Sequence, residues 1–239
     1  MYENGPAAAV ESLMAWWALA GVDHAVSEMP VNWLRPVVAP AALRQPSSPA
    51  PQEVSLPDTL DRFHAWLATE KTLHEGAWGN QRILPSGVQN AAVMVICDMP
   101  DPADGESGAL LSGDAGLLFD AMLAAIGMTR QNIYLASLSL TRAPGGMLHD
   151  QDMQLLATRM RHQIALTAPR RILLLGDKTN RALLAAGLPV RPSGLQSVNH
   201  PGGTVLAIAS RHPRSLLRFP EEKANSWRAL QYLIEDLPS

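Results

Sequence analysis

Four short runs, apolar at nearly every position, constrain this sequence more than anything else in it. They are Ala92-Val93-Met94-Val95-Ile96, Ile133-Tyr134-Leu135-Ala136-Ser137, Ile172-Leu173-Leu174-Leu175 and Thr204-Val205-Leu206-Ala207-Ile208. A strand that is apolar throughout, not at alternate positions, is buried on both faces, as in parallel sheets covered by helices. The intervals carry helical patterns. Residues 114–126 set Leu118, Met122 and Ile126 on one face and close at Gly127, and 150–167, 179–186 and 221–236 also read as helices. This alternation predicts an α/β fold, a three-layer α/β/α sandwich around a four-stranded parallel sheet. Ligands of such sheets sit beyond the carboxyl ends of the strands, here Cys97–Asp101, Ser137–Arg142, Gly176–Asp177 and Ser210–Arg214.

The N-terminal part is of another kind. Residues 7–21 read as a helix with Val10, Leu13, Met14 and Trp17 on one stripe, Trp16 beside it and Gly21 at its end. Seven prolines follow within 30–57, which predicts a semi-rigid tether. The expected division is therefore an amphipathic helical segment over 1–29, a Pro-rich linker over 30–57 and the α/β domain over 58–239. That domain opens with a helix capped by Asp58, with Leu60, Phe63 and Leu67 turned inward.

A formal net charge of −3 gives no overall attraction to a polyanion, so any nucleic-acid contact needs a local basic patch. Cys97 is the only cysteine, which excludes an intramolecular disulfide and points to a reducing compartment. No metal site is expected. Glu3 and Glu11 precede and enter the first apolar run, unlike the basic start of a secretory signal. No run approaches the roughly 20 apolar residues that span a bilayer. The expected setting is the cytoplasm, with no membrane partner.

At the strand ends the sequence resembles the iron–sulfur branch (family 4) of the uracil-DNA glycosylase superfamily. His212-Pro213-Arg214-Ser215-Leu216-Leu217-Arg218, with Lys223 and Trp227 after it, is similar to that family's His-Pro-Ser-x-Leu-Leu-Arg segment and following helix. Leu173-Leu174-Leu175-Gly176 with Ala182-Leu183-Leu184 resembles its central strand–helix unit. Gly113-Asp114-Ala115-Gly116-Leu117-Leu118, followed by 122–127, resembles the helix behind its first motif. The resemblance implies the fold, and implies His212 as stabiliser of a departing base anion. The departures fall on functional positions. Cys97-Asp98-Met99-Pro100-Asp101 stands for Gly-Glu-x-Pro-Gly, Leu111 for the base-stacking Phe, and Ser137 for the uracil-reading Asn. The cluster cysteines fall on Thr141, Leu156 and other residues within 70–85, so no iron–sulfur cofactor is expected.

Base excision needs a flipped nucleotide in a snug pocket, polar groups reading its edge and stabilisation of the leaving anion. Asp98 and His212 are the candidate catalytic residues. Asp98 is one methylene shorter than Glu, and a displacement of about 1 Å can cost on the order of 10²-fold in rate. Leu111 and Ser137 are the candidate base contacts. Leu111 has no aromatic face, and Ser137 has one hydroxyl where an amide makes two directed bonds. Arg211, Arg214 and Arg218 are the candidate phosphate contacts. Asp98, Asp101, Asp104 and Glu106 work against DNA binding, and the segment holding Asp101 and Asp104 reads as a solvated acidic loop. Cys97, ending a buried strand, reads as an inert core residue.

Two functions stay open. One is an active DNA glycosylase of altered base specificity. The other is a catalytically impaired glycosylase-fold module that binds a replication or repair protein through residues 7–22, with Leu13, Trp16 and Trp17 as anchors. A second resemblance bears on the latter. Trp17-Ala18-Leu19-Ala20-Gly21-Val22, then a tether, then Val93-Met94-Val95 with Asp98-Met99-Pro100, is similar in layout to the psi subunit of the bacterial DNA polymerase III clamp loader. It implies an N-terminal segment that docks on the clamp-loader collar.

Overall fold

The computed structural model describes residues 6–19, 56–79, 81–184, 194–235 and 237. The chain divides into two units, Met1–Glu53 and Val54–Ser239. In the first unit, α1 (Pro6–Leu19) is exposed at every position from Val10 to Leu19, the stripe of Val10, Leu13, Met14 and Trp17 included. Gly21 and nearly all of the expected 30–57 tether lie outside the described residues.

The second unit is a sheet between two layers of helices. Its elements are α2 (Leu60–Thr69), β1 (Ser86–Gly87), β2 (Val93–Cys97), α3 (Pro102–Ser107), α4 (Gly113–Ala125), β3 (Ile133–Ser137), α5 (Asp150–Thr167), β4 (Arg171–Leu175), α6 (Asp177–Leu183), β5 (Gln196–His200), β6 (Gly203–Ser210), α7 (Pro213–Arg218) and α8 (Lys223–Ile234). Strand order is β1-β3-β2-β4-β6-β5. The inner four are the strands expected from sequence, and they are mutually parallel. Both edges are antiparallel, which corrects the expected four-stranded parallel sheet to a six-stranded mixed one.

Both additions have a physical reason. β5 pairs with β6 across a tight turn and carries one buried apolar residue, Val198, so its sequence looks like a loop. A polar face on a sheet edge also blunts it against pairing with another chain. β1 is two residues long and lies so close to β3 that a Cβ at Gly87 would collide with the Ile133 carbonyl. Only glycine, at φ 123°, fits there.

Successive residues of each inner strand go to opposite faces. Met94, Ile96, Tyr134, Ala136, Ile172 and Leu174 pack with Met153, Leu156, Met160 and Ile164 of α5. Val93, Val95, Ile133, Leu135, Leu173 and Leu175 pack with Phe119 and Leu123 of α4 and Leu230 and Leu233 of α8. On α4 the buried residues are Ala115, Gly116, Phe119 and Leu123, while the expected Leu118 and Met122, and Ile126 just after the helix, are half-buried. The helix is apolar around most of its girth, so its period could not single out the stripe that meets the sheet. Leu60, Phe63 and Leu67 are buried on α2 as expected, but Thr59 is its N-cap residue. Asp58 instead accepts an exposed hydrogen bond from Arg62. Among the described residues, no helix is long and apolar enough to cross a membrane.

Candidate functional site

β2 lies between β3 and β4, where successive strands switch from one side of it to the other. A crevice opens at such a point in α/β sheets. The chain leaves β2 into Asp98, which is 5% exposed, and Met99, which is 2% exposed. Arg214, in the first turn of α7, reaches both acids of this segment. Its Nη2 donates to Asp98 Oδ1 and Oδ2 at 2.9 and 2.7 Å, and its Nη1 donates to Asp101 Oδ1 at 2.5 Å. A guanidinium held on two carboxylates is among the strongest polar contacts available to a side chain. Arg142 adds a bond from Nη1 to the Pro100 carbonyl at 2.9 Å and lies 3.6 Å from Asp101.

The segment that reads as a solvated acidic loop is in fact α3, with its acids structurally engaged. Asp101 and Asp104 form a capping box, and Asp104 is buried. Asp104 Oδ2 accepts from the Asp101 backbone at 2.8 Å, and Oδ1 accepts from the Ser112 backbone at 2.7 Å. The first bond caps the start of α3, which Pro102 begins, and the second ties α3 to Ser112, the N-cap of α4.

His212 is the N-cap of α7 and is 2% exposed. Its Nδ1 accepts the Arg214 backbone N–H at 3.2 Å, which leaves the ring proton on Nε2. Burial, reinforced by the Arg214 charge and opposed by Asp98 and Asp101, lowers its pKa to about 4, so the ring is neutral near pH 7. Nε2 is buried without a hydrogen-bond partner. A neutral imidazole with an unused N–H donor, beside a clamped carboxylate, is what the carboxyl end of the sheet presents.

The candidate base contacts are buried as well. Ser137 ends β3 and donates its hydroxyl to the Ser139 carbonyl at 2.7 Å. Leu111 is 1% exposed, at φ 53°, and belongs to the core cluster of the α4/α8 face. Arg130 fixes its loop by donating to the Leu110 and Leu111 carbonyls at 2.7 and 2.5 Å, and to Asp120 at 2.6 Å. Gly116 lies directly against the Leu111 carbonyl, where a Cβ would collide. Of the three candidate phosphate contacts, only Arg214 reaches the Asp98 site. Arg211 faces Asp177 and Glu222, and Arg218 is exposed at the end of α7. Cys97 is buried and donates to the Ala136 carbonyl, and burial, then the Asp98 charge, raises its thiol pKa.

Asp101, Arg142 and Arg130 were not singled out as site residues from sequence. Apart from the Asp101–Asp104 capping box, their partners lie 10 to 113 residues away along the chain, and no local spacing announces those.

A sheet with an acidic residue after its central strand and a His-Pro helix start after β6 is the arrangement that the resemblance to the uracil-DNA glycosylase superfamily implies. The family model of the uracil DNA glycosylase superfamily matches residues 84–234, more than half of the chain. The chain belongs to that superfamily. No curated protein matches it.

An iron–sulfur cluster needs several cysteine thiolates, usually four. This chain has one, buried in the sheet, so its residues do not fit such a group. Among the described residues no group of His, Cys, Asp and Glu could hold a metal ion. The three segments to which the resemblance assigns cluster ligands are joined otherwise. Glu75, 1% exposed, pairs with Arg159 of α5 at 2.5 Å, and Arg159 also donates to the Leu138 carbonyl at 2.8 Å.

Proposed function

We propose that this chain is a glycosylase-fold binding module of DNA replication or repair whose capacity for base excision is lost or much reduced. The observation that carries the reading is the Arg214 fork on Asp98. A carboxylate that orients water must be reachable by it, and Asp98 is 5% exposed with both oxygens turned onto Arg214 Nη2. The burial of Met99 and Leu111, and the engaged Ser137 hydroxyl, support it further. We read the iron–sulfur branch as the origin of the fold, with the Glu75–Arg159 pair standing where a cluster once tied the same segments.

The partner contact is assigned to α1. Leu13, Trp16 and Trp17 are 50%, 64% and 46% exposed, an anchor set suited to a groove on another protein. The layout like that of the psi subunit suggests a clamp-loader component as that partner, in the cytoplasm. Pull-down with full-length protein and with a truncation lacking residues 1–56 tests this. Replication proteins recovered only by the full chain support it, and equal recovery by both, or by neither, overturns it.

One observation favours a second reading, an active glycosylase of altered specificity with Asp98, Ser137 and His212 as its working groups. The buried Nε2–H of His212 has no partner and is neutral at pH 7, as a stabiliser of a base anion needs to be. Arg211, Arg214 and Arg218 would then contact DNA phosphates. Incubation with uracil-, hypoxanthine- and ethenocytosine-containing DNA separates the two. Abasic sites that form with wild type but not with His212→Asn sink the module reading. Their absence at high protein concentration sinks the enzyme.

A further inference from the structure

A polar cavity opens beyond β4 and β6, lined by residues other than those of the Asp98 site. It has a volume of about 350 Å³ and is lined by Asp177, Asn180, Arg211, Glu222 and Ser226, among others. Its floor is unsatisfied. Asn180 and Ser226 are each 3% exposed, and both Asn180 Oδ1 and Ser226 Oγ are buried without a hydrogen-bond partner. A buried polar atom left unpaired is costly, so two in one cavity wall call for an occupant.

The groups facing the cavity define the occupant's chemistry. Two carboxylates stand against one guanidinium, which leaves an excess negative charge. Arg211 lies 3.7 Å from Asp177 and 3.6 Å from Glu222, too far for it to satisfy either by hydrogen bonding. Asn225 takes one Glu222 oxygen, Oε2, at 3.2 Å, and Oε1 stays open. Glu222 Oε1, Asn180 Oδ1 and Ser226 Oγ are thus left as unpaired oxygens, and the net negative charge favours a cation. We infer that this cavity binds a small organic cation with several N–H donors, a guanidinium or primary ammonium group, with Asn180, Ser226, Glu222 and Asp177 as its acceptors. Arg211 stands at the mouth as a partial stand-in for that group and competes with it.

Titration calorimetry on the full-length protein tests the site with agmatine, with an end-capped Gly-Arg-Gly tripeptide, and with tetramethylammonium, which has the charge but no N–H. Saturable one-to-one binding is expected for a guanidinium compound and not for tetramethylammonium. Tighter binding of agmatine assigns a free cation, and tighter binding of the tripeptide assigns a protein side chain. Glu222→Gln, at a half-buried position, should weaken the affinity at least tenfold, and Arg211→Ala should strengthen it several-fold by removing the competitor. Absence of saturable binding, equal affinity for tetramethylammonium, or an unchanged affinity in Glu222→Gln overturns the assignment.

Discussion

Two arginine–carboxylate clusters use the same chemistry to different ends. Glu75–Arg159 is nearly dry, with side chains 1% and 10% exposed, and its remaining bonds go to the backbone at Leu138 and Leu140. It ties the 70–85 segment to α5 and to the loop after β3. Asp98–Arg214 engages both carboxylate oxygens through Nη2 and Asp101 through Nη1, yet its arginine is 34% exposed and its network continues through Asp101 to Arg142 at the surface. Water can replace part of what the second arginine gives, and almost none of what the first gives. Burial, more than bond length, separates a structural staple from a clamp at the solvent-reached end of the central strand.

That contrast is open to experiment. Glu75→Ala leaves Arg159 charged and enclosed, and should cost about 3–5 kcal/mol in urea unfolding. A paired Glu75→Leu/Arg159→Met variant should recover most of the loss, and equal damage in both would break the staple account. Next comes pH. The folded pKa of His212, about 4, lies below its ordinary 6.5, so the unfolded chain takes the proton first as pH falls. Stability should decline from about pH 6.5 down to about 4 and level off below, by on the order of 3 kcal/mol, with the slope reduced in His212→Asn. Arg214→Ala should cost less than Glu75→Ala, about 2 kcal/mol, because solvent reaches the vacated position. A cost as large as that of Glu75→Ala would erase the distinction between the clusters. The pair Arg62–Asp58, with side chains 75% and 79% exposed, sets the baseline, and Arg62→Ala should leave the midpoint within error.

The sequence revealed what burial on two faces leaves visible. Each inner strand is apolar at nearly every position, so strand and layer could be read directly, and with them the carboxyl end of the sheet that holds Asp98 and His212. The edge strands escaped because Gln196-Ser197-Val198-Asn199-His200 offers one buried apolar residue to the sheet. Pairings within the site escaped for a different reason. Asp98 and Arg214 are 116 residues apart, and nothing at either position names the other. Arg211 and Arg214 look equivalent in the chain, but the turn through His212-Pro213 sends one to Glu222 and the other to Asp98. Asp104 reads as a surface acid because its role, accepting two backbone N–H groups, exists only once α3 is folded.

Cys97 has a use that the chain's chemistry supplies unasked. It is the only thiol, it closes the central strand β2, and burial holds it in the unreactive protonated form. A thiol reagent can therefore mark the molecule only in the moments when the sheet comes apart, and every mark has a single address. At high reagent the labelling rate is the opening rate itself, and at low reagent it reports the fraction of molecules open at any instant. The protein carries a clock for its own unfolding, with no engineered probe, on the strand that precedes Asp98.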